Sequence, residues 1–209
     1  MEDKLYEGFY DPTQEFSKEP RAFCYEVAEE LIKKSQHTNP ENWYEEKNTV
    51  KGVLLLLFTW NFAAISTKKL DFKNVGELIR ANKDKLKSLE KYSIEKVDDN
   101  AWSDIRDVFE QFRGLLGQTG ASKALSLLHP ALFVMWDTVI RSRLNKELIK
   151  GIDEGQNGDC YVTFLKGIQE IIKKYHIKEK LLLDQNSTIA KKIDEYNYVE
   201  LVMKKRYSG

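Results

Sequence analysis

Apolar residues recur along most of this chain at helical rather than alternating spacing. Behind Pro20, a good early-turn residue, Phe23, Val27 and Leu31 with Ala28 and Ile32 form a stripe that predicts the first long helix. Thr38 and Glu41, three apart around Pro40, have the spacing of a capping box. They are expected to open a long helix through NWYEEKNTVKGVLLLLFTWNFAA, whose second half is apolar almost all round. A helix of that kind belongs in the middle of a bundle, so residues 53–64 are expected to form the most buried helix. Asn74 is expected to cap a helix carrying Val75, Leu78 and Ile79, and a lysine-rich helix with Leu86 and Leu89 follows. Asp98, Asp99 and Asn100 offer the next cap. Trp102, Ile105, Val108, Phe109, Phe112, Leu115 and Leu116 then share one face as far as Gly117, which predicts a stop.

Residues 138–150 read as helical, GIDEGQNGD as a loop, and Tyr161, Phe164, Leu165, Ile168, Ile171 and Ile172 as one amphipathic face. Ile189, Ile193, Tyr196 and Val199 mark the last helix, followed by a basic tail. No repeat and no useful alternating stretch interrupts this pattern. The pattern predicts a single all-α domain of about eight helices over residues 19–209. Residues 1–18 are expected to be an extended arm, with Tyr6, Phe9, Tyr10 and Phe16 packing against the body.

Length and charge narrow the function classes. A chain of 209 residues suits one well-cored domain. Its 33 basic and 33 acidic residues balance, so no global positive field advertises a nucleic-acid partner. Cys24, Cys160 and three scattered histidines match no metal or disulfide spacing, so no metal and no cofactor is expected, and both thiols read as core or boundary residues. The acidic start MEDKLYEGFYD has no apolar run of the kind a signal peptide needs. The apolar run from residue 53 towards 65 is far short of the roughly 20 residues of a spanning helix. The expectation is a cytoplasmic protein with no membrane partner.

Candidate chemistry concentrates in GQTGASKALSLLHPALFVMWDT, residues 117–138. Gly117 and Gly120 predict a tight turn between two helices, and glycine permits a positive φ and a close backbone approach. Exposed N–H groups where the second helix begins would favour an anion such as a phosphate. Lys123 is expected in the first turn of that helix, where the dipole and burial both lower its pKa and make it more nucleophilic. After His129 and Pro130, an apolar run ends at Asp137, placed to cap the helix over 138–150.

This series over residues 115–143, Leu116, Gly117, Gly120, Lys123 and Asp137, resembles the helix-hairpin-helix base-excision DNA glycosylases. Two departures accompany the match. Gln118 and Thr119 both separate the glycines, and the lysine-to-aspartate spacing of 14 is about one helical turn short. The resemblance implies an all-α enzyme that flips a damaged base out of double-stranded DNA. It implies that Lys123 attacks the sugar C1′ and forms a Schiff base, and that Asp137 assists as the essential carboxylate. It implies that Gly117, Gln118, Thr119, Gly120 and Ser122 grip a DNA phosphate, with Arg141 and Arg143 as further DNA contacts. His129, Phe133 and Trp136 would be candidates to line the base pocket.

Local charge is compatible with this, since residues 111–150 carry six basic side chains (Arg113, Lys123, Arg141, Arg143, Lys146, Lys150) against Asp137 and Glu147. The alternative is a non-catalytic helical nucleic-acid-binding or scaffold protein. In it the glycine turn merely joins helices, Lys123 is solvated, Asp137 is only a cap, and His129, Phe133, Trp136, Trp60 and Trp102 are core.

Overall fold

The computed structural model describes residues 4–60, 70–147, 149, 157–181 and 187–204. Among these the fold is all-α, with ten α-helices, eight of them seven residues or longer, and no strand. In chain order they are α1 (Lys4–Glu7), α2 (Thr13–Phe16), α3 (Ala22–Thr38), α4 (Lys47–Trp60), α5 (Phe72–Ala81), α6 (Lys83–Leu89), α7 (Ala101–Leu128), α8 (Thr138–Glu147), α9 (Gly158–Lys174) and α10 (Ile189–Tyr198). A wide turn over Val199–Met203 prolongs α10. No helix among the described residues is long and apolar enough to cross a membrane.

Helix ends follow local chemistry, and several differ from the pattern reading. Asn39 precedes Pro40, which disfavours helical backbone there, and takes a non-helical conformation (φ −144°, ψ 74°), so α3 ends at Thr38. The Thr38–Glu41 box therefore caps nothing, and the long apolar helix starts later, at Lys47, after a 3-10 turn over Trp43–Glu45. Asp71, not Asn74, caps α5, its carboxylate accepting from the Asn74 N–H at 2.7 Å. Asn157 caps α9 in the same way, and Thr188 caps α10.

The first stripe also shifts by a residue. Ala22, Tyr25, Ala28 and Ile32 of α3 are buried, while Phe23 is 69% exposed. α3 lies directly along α4: a Cβ added at Gly52 would sit 2.8 Å from the Ala28 carbonyl oxygen. Only a glycine lets the two backbones approach that closely.

Residues 4–16 are not an extended arm. They form two short helices that complete the core against α10. Tyr6 is fully buried and its hydroxyl donates to Asn197 at 2.5 Å, while the Tyr196 hydroxyl donates to the Leu5 carbonyl at 2.5 Å. The Phe9 ring lies 4.5 Å from that of Tyr196.

The most buried helical stretch is not the apolar one. In α4, Leu56 and Leu57 are sealed, but Leu54 and Leu55 are half-buried and Phe58 is 44% exposed; residues 61–64 lie outside those described. In α7, every residue from 120 to 128 is buried, although the stretch contains Gly120, Ser122, Lys123 and Ser126. Its small side chains let neighbouring elements close on every face, which a hydrophobicity pattern does not register.

Gly117 breaks α7 with φ 72° and ψ 170°. That region is essentially restricted to glycine, so the bend that redirects residues 118–128 depends on the absence of a Cβ. Gly117→Ala should therefore lower stability by about 1–3 kcal/mol in urea titrations. In the same assay Leu56→Ala should cost about 2–5 kcal/mol, because it leaves a cavity in a sealed core. A Gly117→Ala variant as stable as the parent would mean the kink relaxes freely.

Candidate active site

The second half of α7 carries Lys123 into the interior, where the side chain is only 6% exposed. It lines a partly open, mostly apolar cavity of about 30 Å³, room for one or two water molecules. The walls come from six regions: Phe16 of α2, Tyr25 of α3, Trp60 at the end of α4, Met135 and Asp137 before α8, Ile140 of α8, and Lys191, Asp194, Glu195 and Tyr198 of α10. Phe16 stacks on Trp60 at 5.8 Å, and Trp60 meets the Tyr198 edge at 4.9 Å. Arg21 holds this aromatic wall in place. Its guanidinium lies 4.7 Å over the Trp60 ring, its backbone carbonyl accepts from Trp60 Nε1 at 3.1 Å, and it pairs with Glu19 at 2.7 Å.

The Lys123 amine has a poor environment for its charge. Among the described residues Nζ has one hydrogen-bond acceptor, the Trp60 carbonyl at 2.7 Å, where an ammonium can use three. Burial pulls its pKa down to about 8; Asp137 opposes the shift, Arg21 reinforces it and Asp194 opposes it. At neutral pH about a tenth of such lysines would be the free amine, several hundred times more than for a solvated lysine. Burial therefore sets a lysine with a lowered pKa beside a mostly apolar cavity.

Asp137 is the cap the sequence suggests. Its Oδ1 accepts from the Ile140 N–H at 2.8 Å, and it faces the same cavity as Lys123. The linker over residues 129–137 that carries it is buried at His129, Leu132, Phe133, Val134 and Trp136, so backbone groups there need partners. Side chains from elsewhere supply them. The Trp136 N–H donates to Ser122 Oγ at 2.9 Å, the Met135 N–H to Asp194 at 2.5 Å, and the Tyr161 hydroxyl to the Val134 carbonyl at 2.8 Å.

Other expected site residues fall elsewhere. His129, Phe133 and Trp136 do not line the cavity; they are core residues, because the linker's apolar side chains turn inward against α7 and α9. Trp136 and Phe133 pack with Tyr161 at 5.5 and 6.3 Å. His129 Nε2 lies 2.7 Å from the Tyr44 hydroxyl, which donates to Glu90 at 2.9 Å. Since that hydroxyl has one proton, His129 carries its own on Nε2, and burial drives its pKa down to about 3. His129 is thus a neutral structural group.

Arg141 is 3% exposed, with its guanidinium 5.3 Å over the Trp136 ring, so it does not face a DNA backbone. Ser122 is buried and bonded to Trp136, and Gly120 is buried. Gly117, Gln118 and Thr119 remain half-buried, and Arg143 is exposed. Of the basic residues behind the local positive excess, Lys123 and Arg141 are buried, and Arg113 is paired with Glu110 at 2.7 Å. Trp60, expected in the core, is half-buried and forms part of the cavity wall; Trp102 is core.

The sequence reading did not assign Phe16, Arg21, Trp60, Asp194 or Tyr198 to the site, since they join it only through tertiary packing. One signal existed. Residues 189–203 carry apolar or aromatic residues on every face, so polar residues among them, such as Asp194 and Glu195, have to be buried. The described residues hold no group of three or more His, Cys, Asp or Glu able to bind a metal. The chain matches no protein-family model, no curated protein and no solved structure.

The charge penalty at Lys123 has a defined pH signature. Its folded pKa, about 8, lies below the unfolded value, so the unfolded state binds more protons between them. The penalty is fully present below pH 8 and disappears as pH rises through the ordinary lysine value. Lys123→Met removes this titration. Its unfolding free energy relative to the parent should therefore fall by up to about 3 kcal/mol between pH 7 and pH 10.5. A difference independent of pH would show that Lys123 is solvated in the native state.

Proposed function

We propose that this chain is a DNA base-excision glycosylase with lyase activity, acting through a Schiff base on Lys123. One observation carries the reading: a lysine part-neutral near physiological pH shares an aromatic-walled, water-poor cavity with the cap carboxylate of the next helix. A desolvated amine is what attack on a sugar carbon requires, and a carboxylate beside it can orient the amine and stabilise developing positive charge. The kink at Gly117 is half-buried and Arg143 is exposed, so both can be tested as DNA contacts. The cavity accepts only water-sized groups as it stands, so entry of a base requires the Phe16–Trp60 stack to open.

A non-catalytic reading is favoured by a different contact. Lys123 Nζ donates to the Trp60 carbonyl near the end of α4, and cationic side chains commonly satisfy the last carbonyls of a helix. On this view Lys123 is a tertiary helix cap in a helical binding or scaffold protein.

Borohydride trapping separates the two. With duplexes carrying 8-oxoguanine, thymine glycol, uracil or an abasic site, the parent chain should give a covalent adduct on a denaturing gel. Lys123→Gln should abolish it, and Asp137→Asn should suppress base release by about two orders of magnitude or more while leaving DNA binding largely intact. No adduct with any duplex, together with DNA binding independent of salt, would leave the scaffold reading.

A further inference from the structure

We infer that Asp194 is a second catalytic carboxyl of the Lys123 cavity, protonating the departing base as the Lys123–sugar bond forms. This rests on the Schiff-base reading of Lys123 and adds to it a general acid.

Asp194 is 7% exposed and lines the cavity together with Lys123 and Asp137. Its Oδ1 is occupied by the Met135 N–H at 2.5 Å, which fixes the carboxyl plane. Oδ2 makes no hydrogen bond among the described residues, and the residue lines the cavity beside Lys123 and Asp137. Among the described residues no basic side chain forms an ion pair with Asp194, whereas its neighbours Lys191 and Lys192 are taken by Glu29 at 2.8 Å and Asp11 at 3.1 Å.

Burial pushes the Asp194 carboxyl well above the ordinary carboxylate range; the Met135 N–H opposes this, Glu195 and Asp137 add to it, and Lys123 opposes it. The hydroxyls of Tyr25 (α3), Tyr161 (α9) and Tyr6 (α1) also feel its charge. Burial thus favours the proton on this carboxyl and disfavours it on the neighbouring amine. Two groups of opposite role, pushed towards each other's pH range, make an acid–nucleophile pair.

The step balances. The free Lys123 amine attacks C1′, the C1′–N bond to the base breaks, and its electron pair leaves with the base nitrogen. The Asp194 O–H gives that nitrogen its proton and becomes a carboxylate. Asp137 takes a proton from the new ammonium and returns it to O4′ when the C1′–O4′ bond opens. The products are a protonated imine on Lys123, a sugar hydroxyl and a neutral base.

An abasic aldehyde has no base to expel, so it bypasses the acid and isolates its role. In Asp194→Asn, Oδ1 still accepts from Met135 N–H but no acid remains. Single-turnover release of base from 8-oxoguanine, thymine glycol or uracil duplexes should fall about 100-fold or more. Borohydride trapping of a preformed abasic duplex should stay within about threefold of the parent. Parental base release should decline at alkaline pH as Asp194 loses its proton, and that limb should be absent in the variant.

Equal losses on both substrates would mark Asp194 as merely structural and overturn the inference, as would unchanged base release. A parent that traps the abasic aldehyde but releases none of the three bases also overturns it, while sparing Lys123 as the amine. A parent that traps neither overturns both readings. Should Asp194→Asn fail to fold by circular dichroism, the parental alkaline limb decides alone: its presence supports the acid and its absence overturns it.

Discussion

Burial of one short helical stretch, residues 120–128, is the constraint on which the rest of the structure turns. Close packing around that stretch leaves Lys123 only 6% exposed. Taking an ammonium out of water costs several kcal/mol unless it is well paired, and here the compensation is one carbonyl and two carboxyls that are not in an ion pair with it. The fold tolerates this by shifting the proton equilibrium of the amine, and the same shift makes stability depend on pH.

The kink at Gly117 and the linker over 129–137 bracket that stretch and set where it points. Gly117 supplies a conformation that needs no Cβ, so the chain can turn inward within a single residue. The linker returns through the core and borrows its hydrogen-bond partners from Ser122, Asp194 and Tyr161. Ser122 lies one position before Lys123, and the linker it holds ends at Asp137. The same bonds that satisfy buried backbone therefore hold amine and carboxylate in one cavity. Asp194 joins both tasks, accepting from the linker and lining the cavity.

The wall opposite Lys123 is assembled from the two ends of the chain. Residues 4–16 pack on α10 through Tyr6, Phe9 and Tyr196, which brings Phe16 onto Trp60 and next to Tyr198. Lys192 of α10, only 5% exposed at the side chain, pairs with Asp11 and bonds Thr13, fixing the start of α2. An N-terminal segment read as a peripheral arm is thus structural for the cavity, since a stack of rings excludes water only while both partners stay in place.

Much of the helical content was legible in periodicity alone, because a helix with one apolar stripe has a single way to meet a core, as α9 and α7 up to Leu116 do. Asp137 was legible as a cap for the same reason of locality: its partner, Ile140, is three residues away. Gly117 was legible as a break, since a glycine after a helical stripe relieves a local steric conflict. Burial along 120–128 was not. Ala, Ser and Gly carry weak hydrophobic signals, and their value lies in the space they leave for others, a property of the neighbours rather than of the residues. His129, Phe133 and Trp136 were chosen for the pocket by nearness in sequence to Lys123 and Asp137, but side-chain direction along the linker sends them into the core. The cavity's own groups, Phe16, Trp60, Asp194 and Tyr198, stand up to about 180 positions apart. No local energy term couples them; only closure of the tertiary structure, driven by burying the faces that periodicity reveals, brings them to the same few ångströms.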